Sequence, residues 1–242
     1  MAPESAAAAK TSLSLPARII GVVTSPRATF ADVAARPRWL GVLAFVVVVG
    51  GVATFVFLST DIGKQALFDQ QLRWVESFGG KLNDAAYERM EAGLERAAYT
   101  GSIFQMILLP MMALMISGIA LGVFNAILGG DATLKQVFAV VAHSGVVITL
   151  AQLFGLPLGY ARETMSSVTN LGVFFPFLDE SSFLARFFGS IDLFQIWWIV
   201  ILAIGFGVLY RKRTGPIATT MLIVYVSIGF AIAAIKSALS GA

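Results

Sequence analysis

The sequence contains no cysteine and a single histidine, His143. The first absence excludes disulfides, thiolate catalysis and cysteine metal sites. The second excludes a histidine-rich metal centre, and no other strongly ionisable residue lies near His143 in sequence. Charge is scarce as well. Asp, Glu, Lys and Arg make up 13% of the 242 residues, about half of the ~25% usual in a soluble domain. The formal net charge of +3 is too small to suggest a nucleic-acid partner. The serine-hydrolase pattern G-x-S-x-G, the zincin pattern H-E-x-x-H and the phosphate-binding loop G-x-x-x-x-G-K-[ST] are all missing. Neither enzymatic activity nor a cofactor is therefore expected. The opening MAPESAAAAKTSLSLP has no apolar stretch behind its charges, so it does not read as a cleavable signal peptide. Residues 1–14 read as a flexible cytoplasmic tail, small and polar in composition.

What fills the chain is apolar. Hydrophobic residues are 57% of the total and the mean hydropathy is +0.82, which points to an integral, all-α membrane protein. About 20 mostly apolar residues make one transmembrane helix. Five stretches qualify: 39–58, 103–128 with Pro110 inside, 137–158 with His143 and Pro157 inside, 191–210 and 216–235. Basic residues set the orientation. Lys10, Arg18, Arg27, Arg36 and Arg38 precede the first span, Lys135 lies in the short turn after the second, and Arg211, Lys212 and Arg213 close the turn after the fourth. On that side the acidic residues are Glu4, Asp32 and Asp131, whereas the other side carries an acidic excess. A cytoplasmic N-terminus and an outer C-terminus follow.

The outer loop 60–100 carries a helical stripe, Leu72, Val75, Phe78, Leu82, Tyr87, Met90, Leu94 and Ala97, interrupted at Gly79 and Gly80. It reads as a hairpin of two amphipathic helices, either capping the bundle or acting as a lid or partner-binding arm. The second outer loop is rich in phenylalanine from Phe174 to Phe188, which suits the headgroup depth of a membrane. Residues 15–38 form an amphipathic juxtamembrane segment. Leu15, Ile19, Val22 and Val23 make a short apolar turn, and Ser25 before Pro26 signals a second helix that ends before Pro37. With Arg18, Arg27, Arg36, Arg38 and the Arg211–Arg213 turn, this segment is expected to rest on anionic lipid or to dock a protein partner.

Inside the spans the polar residues include Gln105, Ser117, Asn125, His143, Ser144, Thr149 and Gln152, with no Asp, Glu, Lys or Arg at depth. A proton-coupled transporter usually needs a buried carboxylate. Ser144 and His143 are adjacent on a helix and point about 100 degrees apart, so they form no dyad. His143 is expected to hydrogen-bond Asn125, Ser117 or a backbone carbonyl of the second span. The competing reading is a titrating group at a water-filled cavity. Gly118 and Gly122 make a G-x-x-x-G that permits close helix approach. Pro110 and Pro157 suggest bends that frame a cavity near the outer side.

Three motifs resemble one family. SPRATF supplies Ser25, Pro26 and Phe30 before the first span. FAVVAHSGVVITL supplies His143 and Ser144 in the third. IDLFQIWW supplies Asp192, Phe194 and Trp197 at the start of the fourth. Their order across the chain resembles the bacterial branch of the Yip domain family, multi-span proteins whose eukaryotic members interact with Rab-type GTPases. The Asp-Leu-Tyr-Gly-Pro tract of the eukaryotic branch is replaced here by a Gly215–Pro216 pair. The resemblance implies a five-span helical bundle with a cytoplasmic N-terminus, in a bacterial inner membrane. A non-enzymatic scaffold or adaptor is the first functional reading. A transporter or channel for a lipid or small solute, using the polar face of the third span, is the alternative. The expected partners are the bilayer, with anionic lipid on the cytoplasmic side, and a protein at the cytoplasmic face; a homo-oligomer stays open.

Overall fold

The computed structural model describes residues 12–179 and 181–239, so most of the expected tail lies outside the described residues. Among these residues the fold is all-helical, with one isolated bridge between Asn170 and Asp192. In chain order the helices are α1 Leu15–Thr24, α2 Pro26–Ala35, α3 Leu40–Leu58, α4 Asp61–Ser77, α5 Asp84–Gly93, α6 Ala97–Leu121, α7 Leu134–Ala161, α8 Phe183–Gly189, α9 Leu193–Leu209 and α10 Thr214–Leu239. A π-helical turn, Gly122–Ile127, prolongs α6.

Four segments hold a helix long and apolar enough to cross a membrane: Leu40–Leu58, Asp84–Ile127, Leu134–Ala161 and Thr214–Leu239. The chain is a multi-pass membrane protein. The expected fourth span is shorter than its sequence window of 191–210. Asp192 stops the helix at one end, accepting hydrogen bonds from the backbone N–H groups of Phe194 and Gln195 at 2.8 and 3.0 Å. At the other end Arg211 takes a left-handed φ of 53° and the N–H of Lys212 bonds back to Gly207 O at 2.9 Å. The 17 residues between are ~25 Å long, short of the ~30 Å hydrocarbon core. The second span differs in the opposite sense. Its helix starts at Ala97, not near 103, because α5 runs into it through a single 3-10 turn, Leu94–Arg96.

The core is organised around α7. Helices α3, α6 and α9 pack along it, and α10 packs on α9 and α8. Between α3 and α6, helices α4 and α5 are separated by a turn where Gly79 has φ 73°, and the rings of Phe68 and Tyr87 meet at 5.0 Å.

The N-terminal pair is where the structure departs most from expectation. Helices α1 and α2 are built into the bundle against α7 and α9, and Val22, Phe30 and Val33 are fully buried. A Cβ on Gly21 would sit 2.3 Å from Thr29 Oγ1, so only glycine permits this approach of α1 to α2. Arg18, expected on the lipid-facing surface, is 2% exposed. Its guanidinium pairs with Asp32 at 2.7 Å and donates to the carbonyls of Arg36 at 3.1 Å and Arg38 at 3.4 Å. A buried charge is tolerated when it is both paired and hydrogen-bonded. Here it also holds the turn between α2 and α3.

Candidate functional site

Polar side chains come together in the interior of the bundle and at its basic end. In the interior, Gln152 on α7 donates to Gly50 O at 3.1 Å and Thr54 Oγ1 at 2.8 Å, both on α3. Its own Oε1 accepts from Gln105 Nε2 of α6 at 3.0 Å. The Thr54 hydroxyl donates to Gln105 Oε1 and closes the ring. Three helices are thus tied by one knot of two amides and a hydroxyl. Glycine at 50 makes room, since a Cβ there would stand 2.9 Å from Gln105 Nε2 and 3.0 Å from Gln152 Oε1. Sequence reading picked out Gln105 and Gln152 but missed Thr54. Its signal was a threonine one turn after the Gly50–Gly51 pair in an otherwise apolar span.

The other interior polar groups turn back on their own helices. Ser117 donates to Ala113 O at 2.6 Å, Ser144 to Val140 O at 2.9 Å and Thr149 to Gly145 O at 3.3 Å. His143 does the same, and the expected interhelical bond is not present: Nδ1 lies 2.7 Å from Ala139 O, one turn back on α7. A carbonyl only accepts, so Nδ1 carries the proton and Nε2 is the bare nitrogen. Nε2 is buried without a partner among the described residues. The imidazole is fully buried, and the amide nitrogen of Asn125 is occupied elsewhere. Its Nδ2 donates to Ala132 O at 2.7 Å and secures the turn between α6 and α7. The expected close approach at Gly118 and Gly122 is also missing, since a Cβ at either would meet nothing within 4 Å.

The basic end is assembled from three segments. Arg27, Arg38, Arg211, Lys212 and Arg213 are exposed. Arg36 is half-buried and lies 3.5 Å from Asp32. Arg27 donates to Thr214 Oγ1 at 3.4 Å, linking α2 to the first turn of α10, and Gln136 donates to Ala34 O at 3.1 Å, linking α7 to α2. Between the 129–132 turn and the 210–212 turn lies a cavity of about 470 Å³ whose charged lining is Asp131, Arg211 and Lys212. Tyr210 forms one wall, stacked on Phe124 at 4.5 Å.

The motif residues are structural in this fold. Pro26 starts α2, whereas the Ser25 side chain makes no cap bond. Phe30 enters the core against Gly205 of α9, where a Cβ would come 3.2 Å from its ring. Phe194 packs on Trp197 and on Phe154 of α7. Asp192 also accepts from Ser167 Oγ and, at 2.6 Å, from Thr169 Oγ1, while its N–H donates to Tyr225 OH of α10 at 2.9 Å. Burial pushes its carboxyl pKa up, but these hydrogen bonds outweigh that and hold it below the usual carboxylate range.

A family model for the Yip1 domain matches residues 20–235, and the chain belongs to that family. No curated protein and no solved structure matches it.

Proposed function

We propose that this Yip1-domain membrane protein is a non-enzymatic scaffold or adaptor of a bacterial inner membrane. In this reading it has five spans, a cytoplasmic N-terminus, an outer C-terminus and a helical hairpin, α4–α5, on the outer side. The basic end gathers anionic lipid, at about 1 kcal/mol per exposed Lys or Arg, and presents a docking surface to a protein partner. For α9 to cross, the bilayer must thin locally, which costs fractions of a kcal/mol per Å of mismatch.

One observation carries the reading. The interior polar side chains hold helices to each other or bond to their own backbone. Among the described residues they make no continuous polar path from end to end. The basic-end cavity shares no lining residue with a slot of about 350 Å³ at the opposite end of the bundle, lined by Phe57, Leu156 and Phe194 among others, and Val140, His143, Val147 and Leu202 between them are fully buried. The transporter alternative needs that plug to open.

The absence of native cysteine makes the orientation easy to test. Gly80→Cys is expected to react with an impermeant thiol reagent added outside intact cells, and Lys212→Cys is not. Labelling of Lys212→Cys from outside reverses the orientation. For the basic end, extraction into polymer nanodiscs should recover anionic lipid around the wild type and less around Arg211→Ser/Lys212→Ser/Arg213→Ser. Unchanged lipid content and unchanged topology would remove that face from the proposal.

A further inference from the structure

The opposite end of the bundle holds a basin and a slot that open into each other. The basin, about 790 Å³, lies between α4, the end of α7, α8 and the last turn of α10. Its charged lining is Arg73, Arg162, Arg186 and Lys236, with Glu76 on an adjoining edge. Arg73, Arg162 and Lys236 form no ion pair with a described residue. Lys236 Nζ stands 5.3 Å from the Phe78 ring centroid, a contact that leaves its charge intact. The sequence on this side carries an acidic excess, yet the carboxylates of α5 line neither cavity. The fold has sorted charges that the chain interleaves.

Thr164, Ser166 and Ser167 line both the basin and the slot. The slot, about 350 Å³, is walled by Phe57, Ile148, Leu156 and Phe194. Through Ile148 and Gln195 it continues into an apolar cleft of about 160 Å³ between α3, α6, α7 and α9. Cations, then hydroxyls, then an apolar wall complement in order the phosphate, glycerol esters and acyl chain of an anionic phospholipid.

We propose that the basin and slot form a binding site for one anionic phospholipid, with its phosphate among Arg73, Arg162 and Lys236 and one acyl chain in the slot. Chain burial alone selects little, because a slot lined by hydrocarbon resembles the bilayer the chain leaves. Selectivity comes from the head, where charge-assisted hydrogen bonds from guanidinium groups favour phosphate. Asp192 lines the slot and its oxygens are already taken by four donors. Its negative charge keeps the phosphate in the basin and out of the slot. This site is separate from the basic end proposed above and does not depend on it.

The test uses the full chain in mild detergent at about 0.15 M salt, with equimolar phosphatidylglycerol and phosphatidylcholine, and native mass spectrometry to count retained lipids. One phosphatidylglycerol should be retained, with a preference of about tenfold. Arg73→Gln/Arg162→Gln changes two exposed residues and should bring that preference close to parity. Gly155 lines the slot and a Cβ there meets nothing within 4 Å, so Gly155→Leu adds bulk at the slot wall and should release the lipid. Arg211→Ser/Lys212→Ser/Arg213→Ser should retain it, which separates failure here from failure of the basic-end reading. No preference in the wild type, or a preference that the Arg73/Arg162 variant leaves unchanged, overturns the proposal. So does displacement of the lipid by millimolar inorganic phosphate with equal phosphate binding to Gly155→Leu, which would make the ligand a soluble anion.

Discussion

Helices α7 and α10 are alike in length and apolarity and opposite in placement. They have 28 and 26 residues, and an 18-residue stretch of each has a mean hydropathy of 2.0 and 2.1, yet 56% of that stretch is buried in α7 and 11% in α10. From Ala139 to Thr149, α7 carries alanine, valine, glycine, serine, threonine, one isoleucine and His143. Helices can close on such a rod from every side. A Cβ on Gly145 would stand only 3.5 Å from Val46. On α10 the buried residues are Gly229 and Ala233, while Ile223, Val224, Ile228 and Phe230 face outward at 52–61% exposure. Lipid and protein interior are equally apolar, so hydropathy cannot tell them apart. Side-chain size can, because close packing replaces the hydrophobic effect as the force between membrane helices.

The sharpest way to break this contrast is to make the same kind of cut on both sides of it. Leu202 of α9 is fully buried in the cluster around α7, whereas Ile228 of α10 is 54% exposed. Large-to-small changes in soluble cores cost 2–5 kcal/mol as a transfer part plus a cavity part. In a membrane the transfer part is muted and the cavity part remains. Leu202→Ala should therefore lose about 2 kcal/mol, and Ile228→Ala should stay within about 0.5 kcal/mol of the wild type. Unfolding in mixed micelles measures both. Equal losses would mean that α10 is as packed as α7, most simply by a second copy of the chain.

Next in size is the polar knot, which joins α7 to α3 and α6, whereas α10 is tied to the start of α9 through the single hydroxyl of Tyr225. Interhelical hydrogen bonds in membranes average about 0.6 kcal/mol. Gln152 makes three close ones, so Gln152→Leu should cost about 1–2 kcal/mol. A double-mutant cycle with Thr54→Val should show coupling. Strict additivity would mean that the ring does not act as a unit.

The contrast also marks what sequence could and could not convey. Four helices of membrane length were legible, because length and hydropathy are local properties. The short α9 was not, since its start is set by the Asp192 cap, braced by Ser167 and Thr169 of a distant loop, and its end by the left-handed turn at Arg211. Arg18 was read as a surface charge because its partner, Asp32, is on another helix. The basin at the opposite end from the basic turns was invisible for the same reason: Arg73, Arg162 and Lys236 are far apart in the chain. Charge counted along a loop gave the sign of a side, not the sign of a cavity.

A smaller effect should appear where α10 is tied to the centre. The N–H of Asp192 donates to Tyr225, and Tyr225 OH donates to Ser190 O at 3.0 Å. The Asp192 carboxyl lies below its usual range when folded and near 3.9 when unfolded. Its contribution is fully present above about pH 4 and is lost as pH falls through the folded value. Asp192→Asn keeps the cap of α9 but cannot titrate. Melting curves of wild type and variant should run parallel above pH ~4 and converge below it. Curves that stay parallel through the acid range would remove Asp192 from the clamp.

The smallest expected effect belongs to the most conspicuous residue. His143 sits at the buried centre of α7, and sequence alone suggested that removing its hydrogen bonding would cost stability. The geometry argues otherwise. Its Nδ1–H donates to Ala139 O, a carbonyl already serving the helix, so deleting the imidazole orphans nothing. Its Nε2 is a buried acceptor without a partner among the described residues, and an unmet buried polar group costs about 1–3 kcal/mol. His143→Leu trades both nitrogens for hydrocarbon at similar volume. It should be neutral or slightly stabilising, by up to about 1 kcal/mol. His143→Gln carries a polar amide into the same buried site and should be the less stable of the two. The same unfolding assay ranks them. If Gln proves more stable than Leu, a polar partner or water reaches Nε2, and the plug between the two ends of the bundle is wetter than its packing implies.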